Sequence, residues 1–215
     1  MNKEELYKEL LTRTGINEDA VLGAYMYGSR VYGNFRKNSD YDFIVILEEG
    51  FKTQEQFSDN LINVNYYTLS EHRSRLLSCE PSAMEVTCLK DEFILEDMLN
   101  GLHYNTMNDV AGRLHILRAA FSEKSSNSWV KAKKKLTVPE SYNDSVGKKS
   151  LWHSIRIIDF GIQIAKNGWI TDYGSCNHFY DEVMYCNDWS ELFEKYKKQY
   201  NEICTEFRKV APKEL

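Results

Sequence analysis

Hydrophobic positions along the chain follow two patterns, one typical of strands and one typical of helices. Short runs rich in Val, Ile, Phe and Tyr predict β-strands at residues 21–27, 40–47 and 61–69. Leucines at helical spacing predict a short amphipathic helix ahead of them, at residues 3–12. Ser70 is expected to cap the helix after the third strand, and Pro81 to begin another. The first half of the chain therefore mixes strands and helices.

After about residue 91 the strand pattern fades, and apolar residues recur at intervals of three and four. Helices are predicted at residues 104–136, 148–167 and 188–210. We therefore expect an α/β domain over residues 1–95, followed by an α-helical domain over residues 96–215.

Composition and charge narrow the classes of function. The net charge of −5 disfavours a protein that coats nucleic acid through general electrostatics. No apolar run approaches the roughly 20 residues that span a bilayer, and the polar residues 1–5 do not resemble a signal peptide. The odd number of cysteines argues against a disulfide framework, and Cys176, His178 and Cys186 match no common zinc-ligand spacing. These features predict a cytoplasmic protein with no membrane partner.

The clearest chemistry lies in two acids, Asp40 and Asp42, within an otherwise apolar strand. Because side chains alternate between the faces of a strand, these carboxylates project side by side. Adjacent carboxylates repel each other, and a bound Mg²⁺ or Mn²⁺ removes this repulsion because hard cations prefer oxygen ligands. The alternative is an edge strand with solvated acids, which the apolar neighbours disfavour.

Gly28 and Ser29 end the preceding strand, and ten residues separate Ser29 from Asp40. Glycine lets the backbone approach a phosphate closely, and the serine hydroxyl can donate a hydrogen bond to it. Metal-assisted phosphoryl transfer pairs such a loop with carboxylates that hold two cations roughly 4 Å apart. The two motifs together predict a site for a nucleoside triphosphate over metal-binding acids.

Residues 28–33 (Gly-Ser-Arg-Val-Tyr-Gly) and 39–42 (Ser-Asp-Tyr-Asp) together resemble the motif of the DNA polymerase beta-like nucleotidyltransferases. The chain looks like the predicted nucleotidyltransferase branch of bacteria and phages, which includes the RNA-repair-pathway polymerase beta family. The similarity covers about residues 25–90, with a fainter match around 145–170. It implies a polymerase beta-like domain with a small mixed sheet, followed by helices. It also implies transfer of a nucleoside monophosphate from an NTP to a hydroxyl.

The resemblance also implies roles for individual residues. Asp40 and Asp42 would bind the metals, and Gly28 and Ser29 would hold the β- and γ-phosphates. Further polar residues are assigned to nucleotide binding, with a solvated loop or helix face as the alternative: Arg30, Ser39, and Lys149, His153 and Arg156 on one helical stripe.

One departure from the family pattern concerns its third carboxylate, whose counterpart here is Asn63. Asparagine can ligate through its carbonyl but cannot act as a base. Either another acid such as Glu85 substitutes, or activity is reduced, or nucleotide is bound without turnover. The acceptor is expected to be RNA, a small molecule or a partner protein. The alternatives to a general nucleotidyltransferase are a catalytically weakened regulator and an antitoxin-like protein adenylyltransferase.

Overall fold

The chain separates into two compact units, Met1–Asn108 and Asp109–Leu215. A computed structural model describes residues 1–213 of it. The boundary expected after residue 95 falls inside a strand, Ile94–Asp97, whereas the compact units divide after Asn108. The helix that follows this strand belongs to the first unit, and Leu99, the residue just before it, packs in that unit's core.

A five-stranded mixed sheet forms the centre of the first unit, in the order β3-β4-β2-β1-β5. Its strands are β1 (Val21–Tyr27), β2 (Tyr41–Leu47), β3 (Gln56–Ser58), β4 (Ile62–Thr68) and β5 (Ile94–Asp97). The three predicted strands are confirmed, and the two short outer strands, β3 and β5, were not predicted. Strand β2 runs antiparallel to β1 and parallel to β4. The strand that follows Asp40 is therefore central, and the edge-strand alternative is wrong.

The helices of the first unit are α1 (Lys3–Thr14), α2 (Ser29–Tyr32), α3 (Leu69–Leu77), α4 (Pro81–Val86) and α5 (Asn100–Asn108). Pro81 begins α4, as predicted. The expectation that Ser70 caps α3 is wrong, because Thr68 is the N-cap and forms a capping box with Glu71. The Ser70 backbone N–H instead donates to a Glu49 carboxylate oxygen.

The core of the first unit fixes the register of β2. Tyr25, Ile44 and Ile46 pack with Val86 and Leu99 on one side of the sheet. Phe43 and Val45, which alternate with them along β2, are also buried. Because both faces of the strand are covered, a one-residue slip in pairing would force polar side chains into the core. The position of the acids at the start of β2 is thereby set by packing.

Helices alone make up the regular structure of the second unit as far as residue 213. They are α6 (Leu114–Thr137), α7 (Asp144–Asn167), α8 (Tyr180–Tyr185) and α9 (Trp189–Val210). The predicted helices at 148–167 and 188–210 are confirmed, whereas the run 104–136 is interrupted between α5 and α6. No helix within residues 1–213 has the length and apolarity to cross a membrane.

A pair of buried histidines links α3 to α5 in the first unit. The Nε2 atoms of His72 and His103 lie 2.9 Å apart, so one ring donates a hydrogen bond and the other accepts it. Both rings are buried, at 0% and 5% exposure. Burial, followed by the charges of His103 and Arg75, lowers the pKa of His72 to about 3. Burial also lowers the pKa of His103. Both rings are therefore neutral at physiological pH.

We expect acid to destabilise the protein through His72. In the unfolded chain this histidine has a pKa of about 6.5, so below that pH it binds a proton that His72 does not bind in the folded protein. The free energy of unfolding therefore falls as the pH drops towards 3. This histidine contributes a slope of about 1.4 kcal/mol per pH unit in that window. Urea denaturation followed by circular dichroism measures the slope. A His72→Gln variant, which does not titrate, should show a shallower slope, and identical slopes would contradict the assignment.

Candidate functional site

The turn between β1 and α2 brings the backbone of Gly28 against the side chain of Asp42. Tyr27, the last residue of β1, pairs with Asp42 across the sheet. Gly28 has φ +77° and ψ −153°, a conformation that is essentially restricted to glycine. A Cβ atom added to Gly28 would lie 2.2 Å from Asp42 Oδ2. Glycine is therefore required here both for its conformation and for the space that the carboxylate occupies.

A Gly28→Ala substitution is expected to destabilise the first unit by about 3 kcal/mol, because it combines backbone strain with a clash against Asp42. It should also displace the carboxylate and weaken any cation or nucleotide binding there. Gly15→Ala is the matched control, since Gly15 has φ 68° but an added Cβ would meet no atom within 4 Å. Chemical denaturation and calorimetry of both variants test this. Equal effects on binding would show that the contact with Asp42 is unimportant.

Asp40, Asp42 and Asn63 converge at the start of β2 and β4. Asn63 is the parallel-strand partner of Asp42, and its Nδ2 donates to Asp40 Oδ2 and, at 3.2 Å, to Asp42 Oδ1. On the other side, Ser58 Oγ donates to Asn63 Oδ1 and so orients the amide. The two carboxylates thus lie within hydrogen-bond reach of a single nitrogen. They are brought together as the sequence predicts.

This donor set suits a hard divalent cation. The two carboxylates of Asp40 and Asp42 supply oxygen ligands of the kind that Mg²⁺ prefers, while the Asn63 carbonyl oxygen is turned towards Ser58. Magnesium sites commonly use one or two carboxylates and complete their coordination with water and substrate phosphates. The Asn63 amide group donates hydrogen bonds to both acids. A cation bound between the two carboxylates would replace these hydrogen bonds. The residues present therefore fit a divalent metal.

No third acid joins this pair. Within residues 1–213, no group of three or more His, Cys, Asp or Glu side chains is arranged to hold a metal ion. Glu85 therefore does not complete a three-acid cluster with Asp40 and Asp42. Glu85 is buried and accepts a 2.7 Å hydrogen bond from the hydroxyl of Tyr32.

Arg30 stabilises the segment that leads into β2. Its Nε donates to the Asp40 carbonyl at 3.1 Å, and its Nη2 donates to the Ser39 carbonyl. The guanidinium carbon lies 3.7 Å from the centre of the Tyr41 ring, at cation–π distance. Ser39 Oγ accepts a hydrogen bond from the Arg36 backbone N–H. Arg30 thus positions Asp40, while phosphate binding by Arg30 and Ser39 stays a prediction.

Ser29 begins α2 directly after Gly28 and is partly exposed. Its hydroxyl makes no hydrogen bond to any residue in the range 1–213. Ser29 and Gly28 adjoin the acids through the contact between Gly28 and Asp42. Side chains that sequence reasoning missed are Tyr32, which braces α2 against α4, and Ser58, which orients Asn63. Their partners are distant in sequence, so no local pattern marks them.

The remaining predicted residues form a separate cationic cluster in the second unit. Arg156 is buried, and its Nε and Nη2 lie 3.3 and 3.2 Å from His153 Nδ1, which accepts. Burial, and then the charges of Arg156, Lys131, Lys149 and Lys124, hold the pKa of His153 well below its usual value. His153 is therefore neutral. Lys149 is exposed, so the three predicted residues differ in accessibility.

Residues 9–86 match the family described as "Polymerase beta, Nucleotidyltransferase". No curated protein matches the chain. Among solved structures, a nucleotidyltransferase-like protein from Exiguobacterium sibiricum 255-15 is similar with TM-score 0.39 and 10% identity, over 97% of this chain and 74% of that one. The spectinomycin adenyltransferase AAD(9) from Enterococcus faecialis, solved with ATP and spectinomycin, gives TM-score 0.40 and 14% identity, over 96% and 98%.

Proposed function

Because its N-terminal unit belongs to the polymerase beta-like nucleotidyltransferase superfamily, we propose that this protein transfers a nucleoside monophosphate from an NTP to an acceptor hydroxyl and releases pyrophosphate. One observation carries the proposal. The carboxylates of Asp40 and Asp42 converge on one point, directly beside the glycine turn that would hold phosphates.

Asp40 and Asp42 would hold divalent cations, for which Mg²⁺ or Mn²⁺ is the proposed identity. Such cations, when bound, neutralise the triphosphate and assist the attacking hydroxyl. Residues of the chain itself would orient the acids and the phosphates. Gly28 keeps the backbone close to the acids, Ser29 offers a hydroxyl donor to phosphate, and Arg30 fixes the backbone at Asp40.

The cationic cluster of the second unit supports a nucleotide ligand on separate grounds. Buried arginine next to a neutral histidine, with lysine charges around them, creates a field that favours phosphate. Because His153 Nδ1 accepts from Arg156, its proton lies on Nε2. We propose that Lys149, His153 and Arg156 bind the nucleotide.

One observation favours a second candidate, a nucleotide-binding regulator with weakened catalysis. Asn63 satisfies both carboxylates with an amide and places no third carboxylate in the cluster. The chain therefore lacks the group at this position that would deprotonate an attacking hydroxyl. Transfer would then depend on the acceptor's own acidity.

The two candidates are separated by incubating the protein with ATP or CTP labelled on the α-phosphate, with Mg²⁺ or Mn²⁺, and with RNA, small-molecule or protein acceptors in turn. Cation-dependent transfer of label supports the transferase, and the labelled pool identifies the acceptor class. Saturable binding in calorimetry without transfer supports the regulator. Absence of both cation-dependent binding and transfer would contradict the proposed function.

A further inference from the structure

A groove between α6 and α9 of the second unit is lined by basic and neutral side chains. It has a volume of about 440 Å³, within the range of roughly 300–1,000 Å³ typical of small-molecule pockets. Four basic residues line it, and none of its lining residues is acidic. They are His115, Arg118, Arg208 and Lys213. The whole chain carries a net charge of −5, so the groove differs in charge from the chain as a whole.

The bases of this groove are not neutralised from within the described chain. In the range 1–213, none of them forms an ion pair with a carboxylate. The two arginines contact neutral oxygens. Arg118 donates to the Ala211 carbonyl at 3.5 Å, and Arg208 donates to Thr205 Oγ1 at 2.7 Å. Like charges that line one groove repel one another, and a bound anion reduces that repulsion.

One wall of the groove is rigid. Tyr200 stacks on Trp129 with ring centres 4.4 Å apart, and its hydroxyl lies 3.0 Å from Ser125 Oγ. Ser122, Asn201 and Cys204 add neutral polar groups to the lining. A stacked aromatic wall, guanidinium groups and hydroxyl or amide groups lining one groove are a combination that can recognise phosphate oxygens.

We propose that the α6–α9 groove binds a compact phosphorylated small molecule through Arg118 and Arg208, with His115 and Lys213 as secondary contacts. Arginine suits this role because its planar fork of N–H donors matches two oxygens of one phosphate. The groove's limited volume favours a small ligand over a nucleic-acid chain. This site is independent of Asp40 and Asp42, so it stands whether or not the transfer chemistry is correct.

The test uses the full chain, with inorganic pyrophosphate and ribose 5-phosphate as probes. Calorimetry compares the wild type with an Arg118→Gln, Arg208→Gln variant. A Lys133→Gln, Lys134→Gln variant is the matched control, since it removes two exposed charges from the same α6 helix. We expect the arginine variant to bind the probes about tenfold more weakly or worse, and the control to bind like the wild type.

Cys204 provides a local readout because it lines the groove. Alkylation by iodoacetamide, resolved peptide by peptide, should slow at Cys204 when either probe is bound, and this protection should persist in Asp42→Asn. Equal affinities in the arginine and lysine variants, or no protection of Cys204, would overturn the proposal. Stronger protection by an oligonucleotide lacking terminal phosphates would overturn the assignment to a small ligand.

Discussion

Replacing Asp42 with asparagine is expected to abolish nucleotidyl transfer, with a loss of about 10³-fold or more. The carboxylate lies between Gly28 and Asn63, where it would hold the cation that neutralises developing charge, an effect worth several kcal/mol. Each 1.36 kcal/mol corresponds to tenfold in rate. The measurement is cation-dependent release of pyrophosphate or transfer of label, with whichever acceptor supports it.

The same substitution should leave the fold intact. An asparagine at position 42 keeps a carbonyl that accepts from Asn63 and removes a negative charge adjacent to Asp40. Denaturation of Asp42→Asn should therefore match the wild type or show slightly higher stability. Asp19→Asn is the control for charge, since Asp19 is exposed in the same unit. Should Asp42→Asn retain full transfer, the carboxylate pair is not the catalytic site.

Sequence predicts well the parts of this fold that local patterns determine. Strands β1 and β2 carry unbroken apolar runs, and α7 shows an apolar stripe closed by Gly168, so each is identified from its own residues. The outer strands β3 and β5 have only three and four residues. They are strands because they pair with neighbouring strands, and their own sequences do not indicate this. The capping of α3 illustrates the same limit, because Thr68 and Ser70 are both acceptable cap residues.

The candidate site also has features that local sequence predicts and contacts that it does not. The spacing of Asp40 and Asp42 and the adjacent Gly28 follow from strand alternation and backbone conformation. The sequence does not predict which polar groups of the site form hydrogen bonds with one another. Arg30 donates to the carbonyls of Ser39 and Asp40, a pairing that no local pattern indicates, and its phosphate contact stays a prediction. Such contacts depend on how a loop closes in three dimensions.

An Asn63→Asp substitution is expected to make the cluster formed by Asp40, Asp42 and residue 63 dependent on a bound cation. Asn63 now donates hydrogen bonds to both acids, and aspartate would remove them and add a third negative charge. Without a divalent cation the variant should be destabilised by about 1–3 kcal/mol. Addition of Mg²⁺ or Mn²⁺ should restore stability, and the melting temperature should then rise far more than in the wild type.

The same variant should raise the rate of transfer by about 10²-fold, because general-base catalysis typically contributes at least that much and asparagine provides none. Asn65→Asp is the matched control. It lies two residues further along the same face of β4, where its amide oxygen accepts from Gln56 and not from the metal-binding pair. Calorimetry with Mg²⁺, melting curves and labelled NTP measure the three effects together. A cation response equal in the two variants would show that position 63 does not face the metal. A strong cation response with no gain in transfer would favour the regulator over the transferase, because a third carboxylate alone would then be insufficient to restore chemistry.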